Sequence, residues 1–252
     1  KTLIHEQIVF PGVTTKLLSK KADVIFLAAQ EARKYLPGGR TYQVVGNPVR
    51  EEILFTHREA ARKELGLRDE LCILSYGGSL GARPINEAVA DLMQRHYQSK
   101  KIYHVHSTGK VGHDDFLKML EKRGVDQKAD PNIQVKEYIT NMGTYMAAAD
   151  LIISRAGAIT LSEIEAASKA SILIPSPYVA ENHQYHNAMV LVRHGAAVVI
   201  EEKDLTGKGL IAQVEDFVEH PEKLAELSAK AGSLAVVDTT QKIIETIKKI
   251  AL

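Results

Sequence analysis

The sequence predicts an α/β fold built on a doubly wound parallel sheet. Three observations lead there. From about residue 70 onward, short apolar runs alternate with stretches of helical periodicity, which is the pattern of repeated βαβ units. Strands spaced in this way by helices pair in parallel and are covered on both faces, and runs such as Leu71–Leu74 are correspondingly apolar. Glycine-containing turns follow two of the runs directly, at the strand-to-helix junctions where such sheets bind ligands.

The elements follow in order. Leu3–Ile4 reads as the end of a strand entering a loop, Pro11–Lys20 as a short amphipathic helix, Val24–Ala28 as a buried strand and Val44–Val45 as a brief second one. These elements are too few to close a core, so residues 1–45 are expected to be the C-terminal remnant of a preceding domain. The opening Lys1-Thr2-Leu3-Ile4 lacks Met, and further chain is expected upstream. Gly46-Asn47-Pro48 is turn chemistry and marks a linker. The apolar runs are Leu71–Tyr76, Ile102–His106, Ile133–Tyr138, Leu151–Ser154, Ser171–Pro175 and Ala196–Ile200. Helical patterns lie near 84–97, 111–123, 141–148, 158–168 and 182–194. Beyond residue 202 the chain turns helical: Leu205–Glu219, stopped by His220-Pro221, then Glu222–Ala231, then Thr239–Leu252 behind the N-cap signal Asp238-Thr239-Thr240. The expected organisation is therefore 1–45, a ligand-binding sheet domain over 46–238, and a final helix over 239–252.

Composition narrows the function. Of 252 residues 45% are hydrophobic and 25% charged, as in ordinary soluble domains. A net charge of +1, with no basic cluster interleaved with aromatics, argues against nucleic acid as a partner. No apolar run approaches bilayer length, and with no secretory signal the default compartment is the cytosol. The lone Cys72 sits in an apolar run and reads as a structural thiol. No Cys/His spacing suggests zinc, and His104 with His106, two apart on one strand face, offers a metal pair without a third ligand. No metal and no cofactor are expected.

Four segments carry candidate chemistry. Tyr76-Gly77-Gly78-Ser79-Leu80-Gly81-Ala82 joins a strand to the helix near Pro84. Its glycines let backbone N–H groups approach a phosphate, and the helix dipole favours an anion; the alternative is a tight turn without a ligand. Ser154-Arg155-Ala156-Gly157-Ala158-Ile159-Thr160-Leu161-Ser162-Glu163 is a second such junction. There Glu163 suits the hydroxyls of a ribose, while Thr160 and Glu163, three apart, also match a capping box. The loop from Pro175 leads to Asn182-His183-Gln184-Tyr185-His186-Asn187, whose amides and imidazoles both donate and accept and so suit a polyol; solvated polar residues at a helix start are the alternative. Arg50, just past the linker, can reach a diphosphate or simply be a surface arginine. His5-Glu6-Gln7 follows the opening strand fragment and would face the same cleft.

As an ordered series, HEQ…PG…TKLL, GNPVR, GGSLGA, TG, YI.NM…AAAD, RAGA.T..E and HQ..NA resemble the MurG family of inverting glycosyltransferases, from His5 to about Thr206. The resemblance implies the GT-B type of fold, in which two Rossmann-like domains face across a cleft and the last helix crosses back to the first domain. It implies transfer of N-acetylglucosamine from UDP-N-acetylglucosamine to undecaprenyl-pyrophosphoryl-MurNAc-pentapeptide, the lipid I to lipid II step of peptidoglycan synthesis. The acceptor is then lipid-linked, and the enzyme sits peripherally on the cytoplasmic face of the bacterial membrane. On matching positions it implies that Gly78, Ser79 and the surrounding backbone meet the diphosphate with Arg50 nearby. Ile139 would pair its backbone with uracil, and Ala158, Ile159 and Thr160 would line the phosphate and nucleoside. Glu163 would take the ribose hydroxyls, and His183, Gln184 and Asn187 would read the sugar. His5, Glu6 and Gln7 fall on the acceptor side, although the family's HEQN reads His5-Glu6-Gln7-Ile8 here. The family's N-terminal glycine loop, with a histidine near the acceptor hydroxyl, has no counterpart in this chain and is expected upstream, in roughly 100 residues that would also carry the membrane-contacting patch. No catalytic base is thus assigned within the chain. Two other readings remain. A UDP-N-acetylglucosamine 2-epimerase of the same architecture would release UDP and epimerised sugar without an acceptor. A non-catalytic nucleotide-sugar-binding subunit would be completed by a partner chain.

Overall fold

The computed structural model of the protein describes residues 1–251 and holds two parallel sheets. The first has three strands, β1 (Leu3–Glu6), β2 (Val24–Leu27) and β3 (Thr41–Val44), with α1 (Val13–Leu18) between the first two. The strand expected at Val44–Val45 therefore lies earlier, because Thr41–Val44 pairs with β2 residue by residue. Its exposed and half-buried Thr-Tyr-Gln residues hide it from an apolar-run search.

The polypeptide crosses at Gly46–Arg50 to α2 (Glu51–Phe55) and α3 (Arg58–Glu64) and enters the second sheet. There β4 (Leu71–Tyr76), α4 (Arg83–His96), β5 (Ile102–Ser107), α5 (His113–Lys122) and β6 (Ile133–Lys136) form one half. The other half is α6 (Met142–Ala148), β7 (Leu151–Ser154), α7 (Ala158–Ala166), β8 (Ala170–Leu173), α8 (His183–Arg193) and the two-residue β9 (Val198–Val199). Strand order is β6-β5-β4-β7-β8-β9, the doubly wound order in which the winding reverses between β4 and β7. Apolar residues fill both faces. Cys72, Leu74, Val105 and Ile152 pack against α6 and its neighbours, while Ile73, Leu151, Ile153 and Ile172 pack against α4 and α5. Cys72 is fully buried and burial pushes its thiol up to about 12, as expected of a structural cysteine.

Three helices finish the chain: α9 (Gly207–Glu219), α10 (Pro221–Leu234) and α11 (Thr239–Ala251). The last residue of the expected 239–252 helix, Leu252, lies outside the described residues. The first sheet does not close a core alone. One face gathers Ala22, Ile25, Leu27 and Ala32. The other, Val24, Phe26 and Val45, is covered by Ile243 and Ile250 of α11. Thr239 Oγ1 donates to the Val45 carbonyl at 2.5 Å and Thr246 Oγ1 to Gln43 Oε1 at 2.9 Å, fixing α11 across the first sheet. Among the described residues no helix is long and apolar enough to cross a membrane.

Candidate ligand site at the switch point

The two glycine turns leave the carboxyl ends of β4 and β7, on either side of the point where the winding reverses. In the first, Gly78 adopts φ +98° and Gly81 φ +84°. Gly78 faces open space, but a Cβ on Gly81 would overlap the Thr108 carbonyl oxygen, and one on Gly109 would overlap the Gly81 backbone. The turns after β4 and β5 are thus pressed backbone to backbone, which explains why the Thr108-Gly109 pair accompanies the Gly77–Ala82 turn. Lys110 N–H adds a bond to the Ser79 carbonyl at 3.3 Å. Ser79 itself is exposed. Ala82 is the N-cap of α4, with Pro84 in its first turn.

At the second turn Gly157 is the N-cap of α7 and has no side chain to offer. The first intrahelical donor is Leu161 N–H, so the N–H groups of Ala158, Ile159 and Thr160 are those a helix start leaves free. Ile159 is exposed and Ala158 and Thr160 half-buried. The capping box expected from Thr160 and Glu163 does not form, because the helix starts two residues before Thr160. Glu163, 7% exposed, turns instead toward the linker, where Arg50 Nε donates to its Oε1 at 2.9 Å. Arg50 also donates from Nη1 to Glu52 Oε1 at 2.6 Å. The two charged residues expected at the site are therefore in contact although 113 positions apart. Tyr76, at the end of β4, opens the first glycine motif but has no role in the sequence reading. Its buried hydroxyl has no partner among the described residues, and burial, with the Glu163 carboxylate beside it, raises its phenol above the ordinary range.

Ile139 has a buried side chain, and among the described residues nothing bonds to its backbone N–H or carbonyl. Tyr138 beside it is exposed. Just past β7, Arg155 donates from Nη1 to the carbonyls of Ile174 and Pro175 beyond β8 and pairs with Glu202, holding the ends of β7 and β8 and the turn after β9 together. Sequence reasoning left this arginine inside a motif without a role, since its partners come from strands that only the fold makes adjacent. Glu181 and Asn182 both take left-handed backbone (φ 54° and 48°) immediately before α8; such conformations in non-glycine residues cluster at ligand sites. His183 Nδ1 donates to the Ala180 carbonyl at 3.0 Å, and Gln184 Oε1 accepts from Ser176 N–H at 2.9 Å. Asn187 is deeper, 2% exposed. It accepts from Val9 N–H at 3.1 Å and donates to the Ala156 carbonyl at 3.4 Å, and so joins the two sheets' loops. Beside α8 an open cavity of about 430 Å³ lies between Pro84, Pro175, Tyr178, Asn182 and Tyr185.

On the first sheet, His5 Nε2 donates to the Gly46 carbonyl at 2.9 Å and Glu6 Oε1 accepts from Ile8 N–H at 3.2 Å. Gln7 is exposed and lends its carbonyl to Asn47 Nδ2 at 3.1 Å. Asn47 also donates to Ser162 Oγ on α7 at 3.2 Å. The His-Glu-Gln segment thus stands across the cleft from α7. Among the described residues no three His, Cys, Asp or Glu side chains group to hold a metal ion.

Fold and site together define a doubly wound α/β protein with two glycine turns and a helix N-terminus gathered at its switch point. The chain belongs to glycosyltransferase family 28: the model of the glycosyltransferase family 28 C-terminal domain matches residues 72–247. It is 43% identical over 250 residues to the UDP-N-acetylglucosamine–N-acetylmuramyl-(pentapeptide) pyrophosphoryl-undecaprenol N-acetylglucosamine transferase of Acetivibrio thermocellus, covering 99% of this chain and 66% of that protein. To the protein of the same name from Desulforamulus reducens it is 39% identical, covering 99% and 67%. The chain thus spans about two thirds of the length of these relatives. Among solved structures it resembles Acinetobacter baumannii MurG, with TM-score 0.76, 27% identity, and 98% of this chain and 66% of that one covered. It shares the fold of S. aureus MnaA, solved with UDP, at TM-score 0.67 and 14% identity over 93% and 62%.

Proposed function

We propose that this chain is the donor-binding part of an inverting N-acetylglucosaminyltransferase that uses UDP-N-acetylglucosamine and a lipid-linked muramyl-pentapeptide acceptor in peptidoglycan synthesis. The observation that carries this is the pairing of Arg50 with Glu163 of α7, beside two glycine turns, Gly77–Ala82 and the Gly157 cap, that leave the paired ends of β4 and β7. An anion seat, a cation and a ribose-binding carboxylate are the three things a uridine diphosphate needs. The names of the relatives from Acetivibrio thermocellus and Desulforamulus reducens supply the sugar and the acceptor.

In this assignment Ile139 presents backbone groups to uracil and Glu163 accepts the ribose hydroxyls. Gly78, Ser79, Ala158, Ile159 and Thr160 face the diphosphate with Arg50. His183, Gln184 and Asn187 face the sugar, and His5, Glu6 and Gln7 the acceptor side. An acceptor hydroxyl displaces UDP at the anomeric carbon with inversion. The developing charge on the departing diphosphate meets two helix N-termini and the Arg50 guanidinium, a preorganised electrostatic stabilisation. The general base that takes the nucleophile's proton is assigned to none of these residues. Residues 1–45 and 239–252 belong, in this assignment, with the acceptor-binding domain, and 46–238 form the donor domain. Membrane contact at the cytoplasmic face would run through the acceptor-binding domain.

Calorimetry tests the donor. UDP-N-acetylglucosamine is expected to bind, with UDP-glucose weaker and GDP- and TDP-sugars weakest. A preference for a non-uridine donor overturns the assignment. Release of epimerised sugar without an acceptor would point to the epimerase chemistry instead.

A further inference from the structure

Beneath the glycine turns runs a chain of buried polar side chains with no place in the donor assignment. Ser75 is on β4, His104 and His106 on β5, and Asn86 on α4; the first three are fully buried and Asn86 is 3% exposed. Ser75 Oγ stands 2.7 Å from His104 Nε2 and 2.8 Å from His106 Nδ1. His106 Nε2 is 3.1 Å from Asn86 Oδ1, and Asn86 Nδ2 donates to the Thr108 carbonyl at 3.1 Å. That carbonyl is the one abutting Gly81.

The Asn86 end of the chain sets the proton arrangement. A backbone carbonyl only accepts, so Asn86 must turn its NH₂ to Thr108 and its oxygen to His106. A neutral His106 that serves Asn86 Oδ1 carries its proton on Nε2, and its Nδ1 then accepts the shorter contact, the Ser75 hydroxyl at 2.8 Å, and makes no bond to the Ser75 carbonyl 3.1 Å away. Ser75 Oγ in turn accepts from His104 Nε2. Burial keeps both rings neutral, with His106 lowered to about 3 and His104 well below its ordinary value. A sheet core needs no such polar chain for stability, since apolar residues of like volume serve as well. From Ser75 through His106 and Asn86 to the Thr108 carbonyl the bonds are continuous, while His104 Nδ1 at the far end has no partner among the described residues; what such a buried chain adds is a fixed geometry.

We propose that Asn86 and His106 are positioning residues for the diphosphate seat: by fixing the Thr108 carbonyl against Gly81 they hold the Gly77–Ala82 turn in its phosphate-receiving shape. This rests on the assignment of that turn to the diphosphate. Neither side chain touches the ligand; both act through the Thr108 carbonyl. Gly112 belongs to the device, since a Cβ there would crowd Asn86 Nδ2.

The test uses the full-length protein with Asn86→Asp, which turns an acceptor toward the Thr108 carbonyl, and His106→Phe, which removes the chain at similar volume. Leu92→Ala, a core truncation on the same helix away from the network, is the control for stability. Two readouts are taken: hydrogen exchange of peptides spanning 77–82 and 108–112 without nucleotide, and UDP affinity with donor KM. Both network variants are expected to exchange faster in those peptides and to bind UDP about ten-fold more weakly, equivalent to about 1.4 kcal/mol. The control is expected to lose melting temperature with donor KM unchanged, because a smaller folded fraction lowers only the apparent kcat. If Asn86→Asp does not fold, His106→Phe alone decides. Unchanged exchange and unchanged UDP affinity in the folded variants overturn the proposal, as does an equal KM effect from Leu92→Ala. Wild-type protein that ignores UDP sinks the donor assignment instead, while the exchange data still report whether the turn is held.

Discussion

Arg50 Nε donates to Glu163 Oε1 at 2.9 Å, so the cation proposed for the diphosphate and the carboxylate proposed for the ribose grip one another across 113 residues of sequence. Glu163 is nearly buried while about half of the Arg50 side chain is exposed. Glu163→Ala is therefore expected to act on binding twice, by removing the ribose acceptor and by unmooring Arg50. UDP affinity should fall by about 10- to 100-fold, the equivalent of losing about 1.5–3 kcal/mol of hydrogen bonding to a charged acceptor. Calorimetry checks the affinity and a melting curve checks the fold. A large melting drop with unchanged affinity would count against the ribose role.

Gly81→Ala and Gly78→Ala should separate. Both glycines have positive φ, which costs another residue about 1–3 kcal/mol, but only at Gly81 does the new methyl also meet the Thr108 carbonyl. Gly81→Ala is expected to lower the melting temperature more. Gly78→Ala, whose methyl projects into open space, is expected to lower UDP affinity for a smaller stability loss. Calorimetry beside thermal unfolding distinguishes them.

The buried histidines predict an acid limit. His96, lowered to about 4, joins His106, lowered to about 3, and His104, held well below its ordinary value, each mainly by burial. Unfolded, all three take up protons near pH 6.5. Folded, they resist until far lower pH, so the unfolded chain binds more protons in that window. Stability is full above about pH 6.5 and falls as pH drops, by about 1.4 kcal/mol per pH unit for each histidine still neutral. Denaturant midpoints between pH 7.5 and 4.5 measure this, and His106→Phe is expected to flatten the slope.

Thr239→Val removes the donor to the Val45 carbonyl and leaves that oxygen buried and unpaired. A cost of about 1–3 kcal/mol is expected, or about 2–4 °C of melting temperature per kcal/mol in a protein of this size. An unchanged melting curve would show that the contact contributes nothing to the union of α11 with the first sheet.

How much of this was legible follows from which contacts are local. The apolar runs of β4, β5 and β7 and the glycine turns after them declare themselves because period and turn chemistry lie within a few residues. β3 was expected too late in the chain, at Val44–Val45, since its register comes from pairing with β2 rather than from its own pattern. The capping box at Thr160 failed for a related reason: spacing fits, but helix start is set by Gly157, and Glu163 is drawn to an arginine from another sheet's linker. His104 and His106 looked like half a metal site. Their partner Ser75 lies on the neighbouring strand, 29 and 31 residues earlier, and only strand pairing brings it near. Arg155, Tyr76 and Asn47 carry motif membership but no local sign of what they touch.

Thr239 Oγ1, bonded to the carbonyls of both Val45 and Asn47, lies where the chain returning through Val236–Thr239 runs beside the outgoing Gly46–Arg50 crossing. Two tethers lying side by side behave as a door hinge and not as a ball joint. Twisting or sliding of one sheet past the other would break that shared contact. Held by both tethers, the first sheet keeps His5, Glu6 and Gln7 facing α7, where Asn47 already bridges Gln7 and Ser162.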